Sequence, residues 1–184
     1  MNIVGDALKY AKIEMTLKFG DPDLVGLKFP HDDPLVITTI IRNCPVKRVL
    51  VDNGAFVDIL FHYMFLRMGY TDSQLTHFDA PIYGFNGVKC QVEGVIRLPI
   101  TIGEETREAT HMLNVQVVKG ASTYNAIMRR TGIHAFKVVP STYHMILKFP
   151  TRNDVVEDKG DHKMARSFYV AALRPDRTGE RSSQ

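Results

Sequence analysis

A chain of 184 residues with 45% hydrophobic side chains is long enough for one ordinary domain with a packed core. Its 23 basic and 20 acidic residues are well mixed, so the net charge of +3 provides no polybasic stripe for nucleic acid or an anionic membrane. Cys44 and Cys90 form no metal-type pair, and no secretory or membrane-spanning apolar run precedes or interrupts the domain; a reducing, intracellular, cytoplasmic setting is the expectation, with free thiols favoured over a single bridge between the two cysteines.

Residues 1–33 read as a lead-in segment, with a rough period-two strand over Ile13 to Phe19 and a turn at Gly20-Asp21-Pro22-Asp23. The domain proper is expected over 34–150. Leu35 to Ile41 and Val46 to Val51 are β-branched, apolar runs on either side of Asn43-Cys44-Pro45, which predicts two adjacent strands. From Asp58 the pattern suits a helix that Asp58 caps and Gly69 ends. Ile82-Tyr83 and Val88 to Ile96 flank Gly84-Phe85-Asn86-Gly87, where Asn86-Gly87 signals a hairpin turn. Arg97 to Ile102 prolongs the second arm, Gly103-Glu104-Glu105 turns, and Thr106 to Val118 returns as a strand. Tyr124 to Met128 is a short apolar run, Gly132 to Phe136 a brief helical turn, and Tyr143 to Phe149 an alternating closing strand. Residues 151–184 carry seven Lys/Arg and six Asp/Glu with few apolar groups, the composition of a flexible C-terminal tail.

The most informative stretch is Val49-Leu50-Val51-Asp52-Asn53-Gly54-Ala55, a wholly apolar strand that ends in Asp-x-Gly. Such a strand holds the carboxylate on a rigid element, while Gly54 lets the backbone turn sharply and approach a ligand closely. The triplet by itself also marks an ordinary turn between strands. Two such carboxylates in one desolvated site cannot both ionise easily, so the pair keeps a proton and offers an acid beside a base. This is the local chemistry of an aspartic peptidase. Gly20-Asp21-Pro22-Asp23 and Thr71-Asp72-Ser73 lack both the preceding buried strand and the glycine after Asp, so the chain is read as carrying one credible catalytic turn. A second carboxylate must then come from a second copy, and the chemistry requires a two-fold homodimer.

From about Phe19 to Pro150 the chain resembles the retropepsin-like peptidase domain of plant Gypsy-type LTR retrotransposon polyproteins. The resemblance is carried by His31-Asp32-Asp33-Pro34-Leu35-Val36-Ile37, Val46 to Gly54, Asp58-Ile59-Leu60-Phe61, Tyr83 to Gly87, Tyr124-Asn125-Ala126-Ile127-Met128, and Val139 to His144 with Leu147-Lys148-Phe149-Pro150. It implies an all-β acid protease barrel with a short helix after the catalytic loop, a glycine-containing flap hairpin, and function as a homodimer on an extended peptide or polyprotein. Asp52, Asn53 and Gly54 would form the catalytic loop. Ala55, Phe56, Tyr83, Gly84, Phe85, Asn86, Gly87, Ile127 and Met128 would contact substrate, with Phe85 either a flap side chain touching it or a buried aromatic. Arg130 would brace the structure by hydrogen bonding. The resemblance calls for no metal or cofactor, and for no nucleic acid or membrane contact by this domain.

Three positions depart from the family's pattern. Asn53 replaces the usual Thr or Ser, whose hydroxyl ties the two active-site loops together, although an amide also donates and accepts. Phe56 stands where a small or polar residue is expected, and its ring would crowd the cleft. Arg129 stands where glycine packs under the catalytic loop, a replacement expected to cost a backbone shift or the desolvation of a cation. Two alternatives therefore stand: an active endopeptidase, or a decayed domain that keeps the fold and self-association or peptide binding. His31, His62, His77, His111, His134, His144 and His162 show no paired metal spacing and read as surface or satisfied histidines. A Gly-x-Ser-x-Gly elbow, a phosphate-binding glycine loop and an arginine-aromatic RNA pattern are all lacking.

Overall fold

The β-branched runs form strands β1 (Val36–Ile41) and β2 (Cys44–Val51), paired antiparallel around a turn in which Arg42 takes a φ of 58°. The computed structural model describes residues 15–54, 56–78, 82–83, 89–104, 107–151 and 154–172. After the Asp52 turn come β3 (Asp58–Phe61) and α1 (His62–Arg67). β4 (Ile82–Tyr83) pairs antiparallel with the start of β5 (Lys89–Glu104), and β6 (Arg107–Lys119) runs back along nearly all of β5. The tip of the expected hairpin, Gly84 to Gly87, lies outside the described residues. Next follow β7 (Ala126–Met128), α2 (Arg130–Phe136), β8 (Val139–Ser141), β9 (Ile146–Pro150), β10 (Val155–Lys159) and α3 (His162–Ala172).

Strands β1, β2, β7, β3, β6 and β5 are neighbours in that order, and a β1–β5 pairing closes them into a six-stranded barrel. The all-β expectation is met. Inside lie Ile37, Ile41, Val46, Leu60, Val117 and Ile102, with Phe65 from α1 and Phe149 from β9 fully buried among them. The sheet β8–β9–β10 packs against the barrel through Leu147, Phe149 and Val156. No helix among the described residues is long and apolar enough to cross a membrane.

Several expectations are corrected. The helix foreseen from Asp58 starts only at His62, because Asp58–Phe61 lies between β6 and β7 and is buried on both faces, the pattern of a central strand. Gly69 does end α1, with φ 83° and its N–H on the Leu66 carbonyl at 3.0 Å. Met15 to Gly20 forms no strand; the Lys18 carbonyl instead accepts from Lys148 Nζ at 2.9 Å. Leu147 and Phe149 enter the core in the expected alternation, but Tyr143 is exposed, and Lys148 on the other face is buried as well and bonds Asp23 Oδ1 at 2.8 Å. The region expected as a flexible tail is ordered over Val155–Ala172. There Val156 joins the core, and Ala165 is fully buried beside Val36 and Met145.

Gly103 bends the end of β5 with φ 90°, and a Cβ there would fall 2.2 Å from the Arg107 carbonyl oxygen. Gly103→Ala is therefore expected to destabilise the chain by about 1–3 kcal/mol or more, read as a lower urea midpoint at unchanged slope.

Candidate active site

Parallel pairing of β2 with β7 sets Val49 opposite Ala126, Leu50 opposite Ile127 and Val51 opposite Met128. The chain leaves that ladder at Asp52, whose N–H donates to the Met128 carbonyl at 2.9 Å. Gly54 N–H returns to Asp52 Oδ1 at 2.8 Å, the short-range bond by which an aspartate closes its own turn. The Asp52 side chain is 21% exposed, shielded yet reachable from solvent. Apolar strand residues thus hold the loop, and the acid at its start is presented at the barrel's surface.

Asp58, at the start of β3, is 2% exposed. Its Oδ1 accepts the N–H of Arg129 at 2.7 Å and of Gly132 at 3.3 Å, and its Oδ2 accepts the Thr131 hydroxyl at 2.6 Å. The acid expected to cap the helix after the loop therefore serves donors at the start of α2, a helix more than seventy residues away in sequence. Gly132 makes room: a Cβ would sit 2.9 Å from both Asp58 Oδ1 and Met128 Cγ. Sequence reading did not assign this role, although a lone acid in the run Val57 to Phe61 is itself a sign of a partnered carboxylate. Asn125 was likewise missed. Its Oδ1 accepts Arg48 Nη2 at 2.9 Å and the Tyr63 hydroxyl, and its Nδ2 donates to the Lys47 carbonyl at 2.7 Å, which ties the entry of β7 to β2.

Of the residues assigned to the site, Asp52, Asn53, Gly54 and Phe56 share the loop after β2. Ala55 and Gly84 to Gly87 lie outside the described residues, and Tyr83 is placed on β4 beside Lys89. Met128 is 3% exposed within the core, whereas Ile127 is partly buried against the cluster of Ile59, Phe61 and Val118. Phe56 projects outward, 70% exposed, with the Arg130 guanidinium 3.9 Å from its ring centre. Arg130 Nη2 also reaches the Gly54 carbonyl at 3.4 Å. Arg129 places a largely buried cation beside the Asp52 loop. Its side chain, 14% exposed, brings Nε to 4.0 Å from Asp52 Oδ2, while Nε has no hydrogen-bond partner among the described residues. Another Asp-x-Gly triplet, Asp158-Lys159-Gly160, ends β10, but Asp158 sits inside the ladder opposite Leu147 and not in a turn. A groove of about 580 Å³ opens beside Val57 and Thr131 and is lined further by His77, Val95, Arg97 and Gln116.

A closed six-stranded barrel with an Asp-x-Gly loop leaving a parallel strand pair is the retropepsin-like fold. Among solved structures, the retroviral protease-like domain of Ddi1 from Leishmania major superposes with a TM-score of 0.51 at 16% identity, covering 71% of this chain and 95% of that one. A retropepsin-like aspartic protease from Rickettsia conorii gives 0.44 at 18% identity over 59% and 76% of the two chains. EIAV protease complexed with the inhibitor HBY-793 gives 0.44 at 17% identity over 62% and 99%. No family model and no curated protein matches the sequence.

Burial raises the Asp58 carboxyl above its ordinary value of 3.8, and the bonds from Thr131, Arg129 and Gly132, with the Arg129 charge, offset part of that rise. An acid whose folded value is raised holds its proton more tightly when folded, so its contribution to stability falls as pH rises from the ordinary value of 3.8 through the folded value. Asp58→Ala, which strands three donors, should cost on the order of 3 kcal/mol. That cost should be largest at the acid end of this window and shrink as pH rises, in urea unfolding of both proteins.

Proposed function

We propose that the chain is an aspartic endopeptidase acting as a two-fold homodimer, with Asp52 of each protomer meeting at the axis. The observation that carries this reading is the placement of Asp52. It is one partly exposed carboxylate per protomer, held by Gly54 N–H and by its own amide bond to Met128, on a retropepsin-like barrel. In the dimer the two acids share a proton across a water molecule. One carboxylate takes a proton from that water as it attacks the peptide carbonyl. The other protonates the carbonyl oxygen and then the leaving nitrogen. An extended peptide lies along the cleft beneath the Gly84 to Gly87 hairpin, which closes over it and bonds its main chain. The sequence blocks shared with Gypsy-type elements support a retrotransposon polyprotein as the substrate.

A second reading, a barrel that self-associates or grips peptides without cutting them, draws on Arg129. Its guanidinium gives Asp52 an ion-pair partner within the same chain, at a distance where gross attraction is about 4 kcal/mol for an effective dielectric near 20. That contact competes with the water and with the partner acid.

Cleavage of a peptide library by the full chain separates the two. For an active enzyme, sedimentation shows a dimer, the wild type cleaves, and Asp52→Asn lowers turnover by at least about a hundredfold. Arg129→Gly is expected to raise turnover by freeing the carboxylate. A wild type that never cleaves, beside an Arg129→Gly/Phe56→Ser variant that cleaves only while Asp52 is intact, would establish the second reading. A chain that stays monomeric at millimolar concentration with peptide present would overturn the first.

A further inference from the structure

His62, Asp72 and Glu93 stand apart from the Asp52 loop, on three separate elements, and each offers a ligand atom within 4.8 Å of the others. The fold brings them together by identifiable devices. β5 carries a bulge: Val92 pairs with Val118 and Gly94 with Val117, which leaves Glu93 without a cross-strand partner and re-aims its side chain. At Gly94 a Cβ would lie 2.7 Å from the Thr76 carbonyl oxygen and 2.8 Å from Leu75 Cβ, so only glycine admits the segment that follows Asp72. Thr76 and Val95 then exchange two backbone hydrogen bonds, of 2.8 and 2.9 Å, which clamp that segment to the sheet. Asp72 opens the 3₁₀ turn Asp72–Gln74, and its Oδ1 lies 2.7 Å from Nε2 of His62, the first residue of α1.

The side chains have the chemistry of a cation site. His62 and Glu93 are each 14% exposed, and the His62 ring stacks on Phe65 with centroids 6.0 Å apart, which fixes the direction of its nitrogens. Glu93 Oε2 accepts Lys119 Nζ at 2.6 Å, while its Oε1 is enclosed with no hydrogen-bond partner among the described residues. An enclosed carboxylate oxygen without a donor is costly unless something positive meets it.

We propose that His62, Asp72 and Glu93 form a binding site for a zinc-like divalent cation. One imidazole nitrogen and two carboxylate oxygens are donors that zinc accepts at about 2.0–2.2 Å, with a fourth position left for water. Lys119 stays on the outer Glu93 oxygen, where it orients the carboxylate. Because the ligands come from α1, the Asp72 turn and β5, the bound ion fastens α1 and the 71–76 segment to the barrel wall. The assignment is independent of peptidase activity.

The test uses the full chain, stripped with chelator and titrated calorimetrically with zinc chloride, with Tm measured with and without zinc. The expected result is one ion per chain and a zinc-dependent rise in Tm. Asp72→Asn and Glu93→Gln should each weaken binding by at least about tenfold. The Asp72 side chain is 57% exposed, so Asp72→Asn should keep the metal-free Tm and a folded far-UV spectrum. His31→Gln, placed elsewhere, should bind as the wild type does. Absence of binding at micromolar free zinc, or affinity unchanged in both Asp72→Asn and Glu93→Gln, would overturn the proposal.

Discussion

The carboxylate of Asp58, buried at the start of β3, is the constraint on which the rest of the site depends. It accepts the amides of Arg129 and Gly132 and the hydroxyl of Thr131, so one acid gathers the end of β7 and the start of α2 beside the loop that bears Asp52. A buried acid in this position is tolerable only because donors surround it, and donors at a helix start need an acceptor. Each side satisfies the other. The close approach leaves no room for a side chain at Gly132, which explains glycine as the third residue of a helix, where it otherwise lowers stability.

The same constraint decides where Arg129 goes. With its amide committed to Asp58 and its backbone extended at φ −116° and ψ −166°, the residue sends its guanidinium toward Asp52. The nearest charge to this cation is the same acid whose chemistry calls for a second carboxylate. Arg130, the next residue, turns the other way, onto Phe56 and the Gly54 carbonyl. Two neighbouring arginines thus contact different residues of one short loop.

The His62, Asp72 and Glu93 cluster shows a different use of the same barrel. There a bulge, a glycine and a pair of backbone hydrogen bonds draw together groups ten and more residues apart, whereas at Asp52 a continuous strand and its own turn suffice. The first kind of site is invisible to spacing rules, because its geometry belongs to pairings between strands and not to any local run. The histidines looked scattered along the chain, and one of them is scattered only in sequence.

Much of the fold was legible because local chemistry agrees with it. β-branched runs became β1, β2, β5 and β6, Gly69 ended its helix, and the acid after Val51 stands at a loop. What was misread shares one cause, burial from two sides. The run Asp58–Phe61 has the composition of a helix start, yet neighbours on both edges make it a central strand. Val156 and Ala165 are too isolated in a charged stretch to announce that they reach the interior. The strand-end acid, its turn and the all-β character are legible in the chain alone, since these follow from side-chain shape and backbone freedom within a few residues. The tertiary structure alone decided which groups meet that acid, Asp58 and Glu93, since a charge in a poorly hydrated place is governed by whatever the rest of the chain brings within bonding distance.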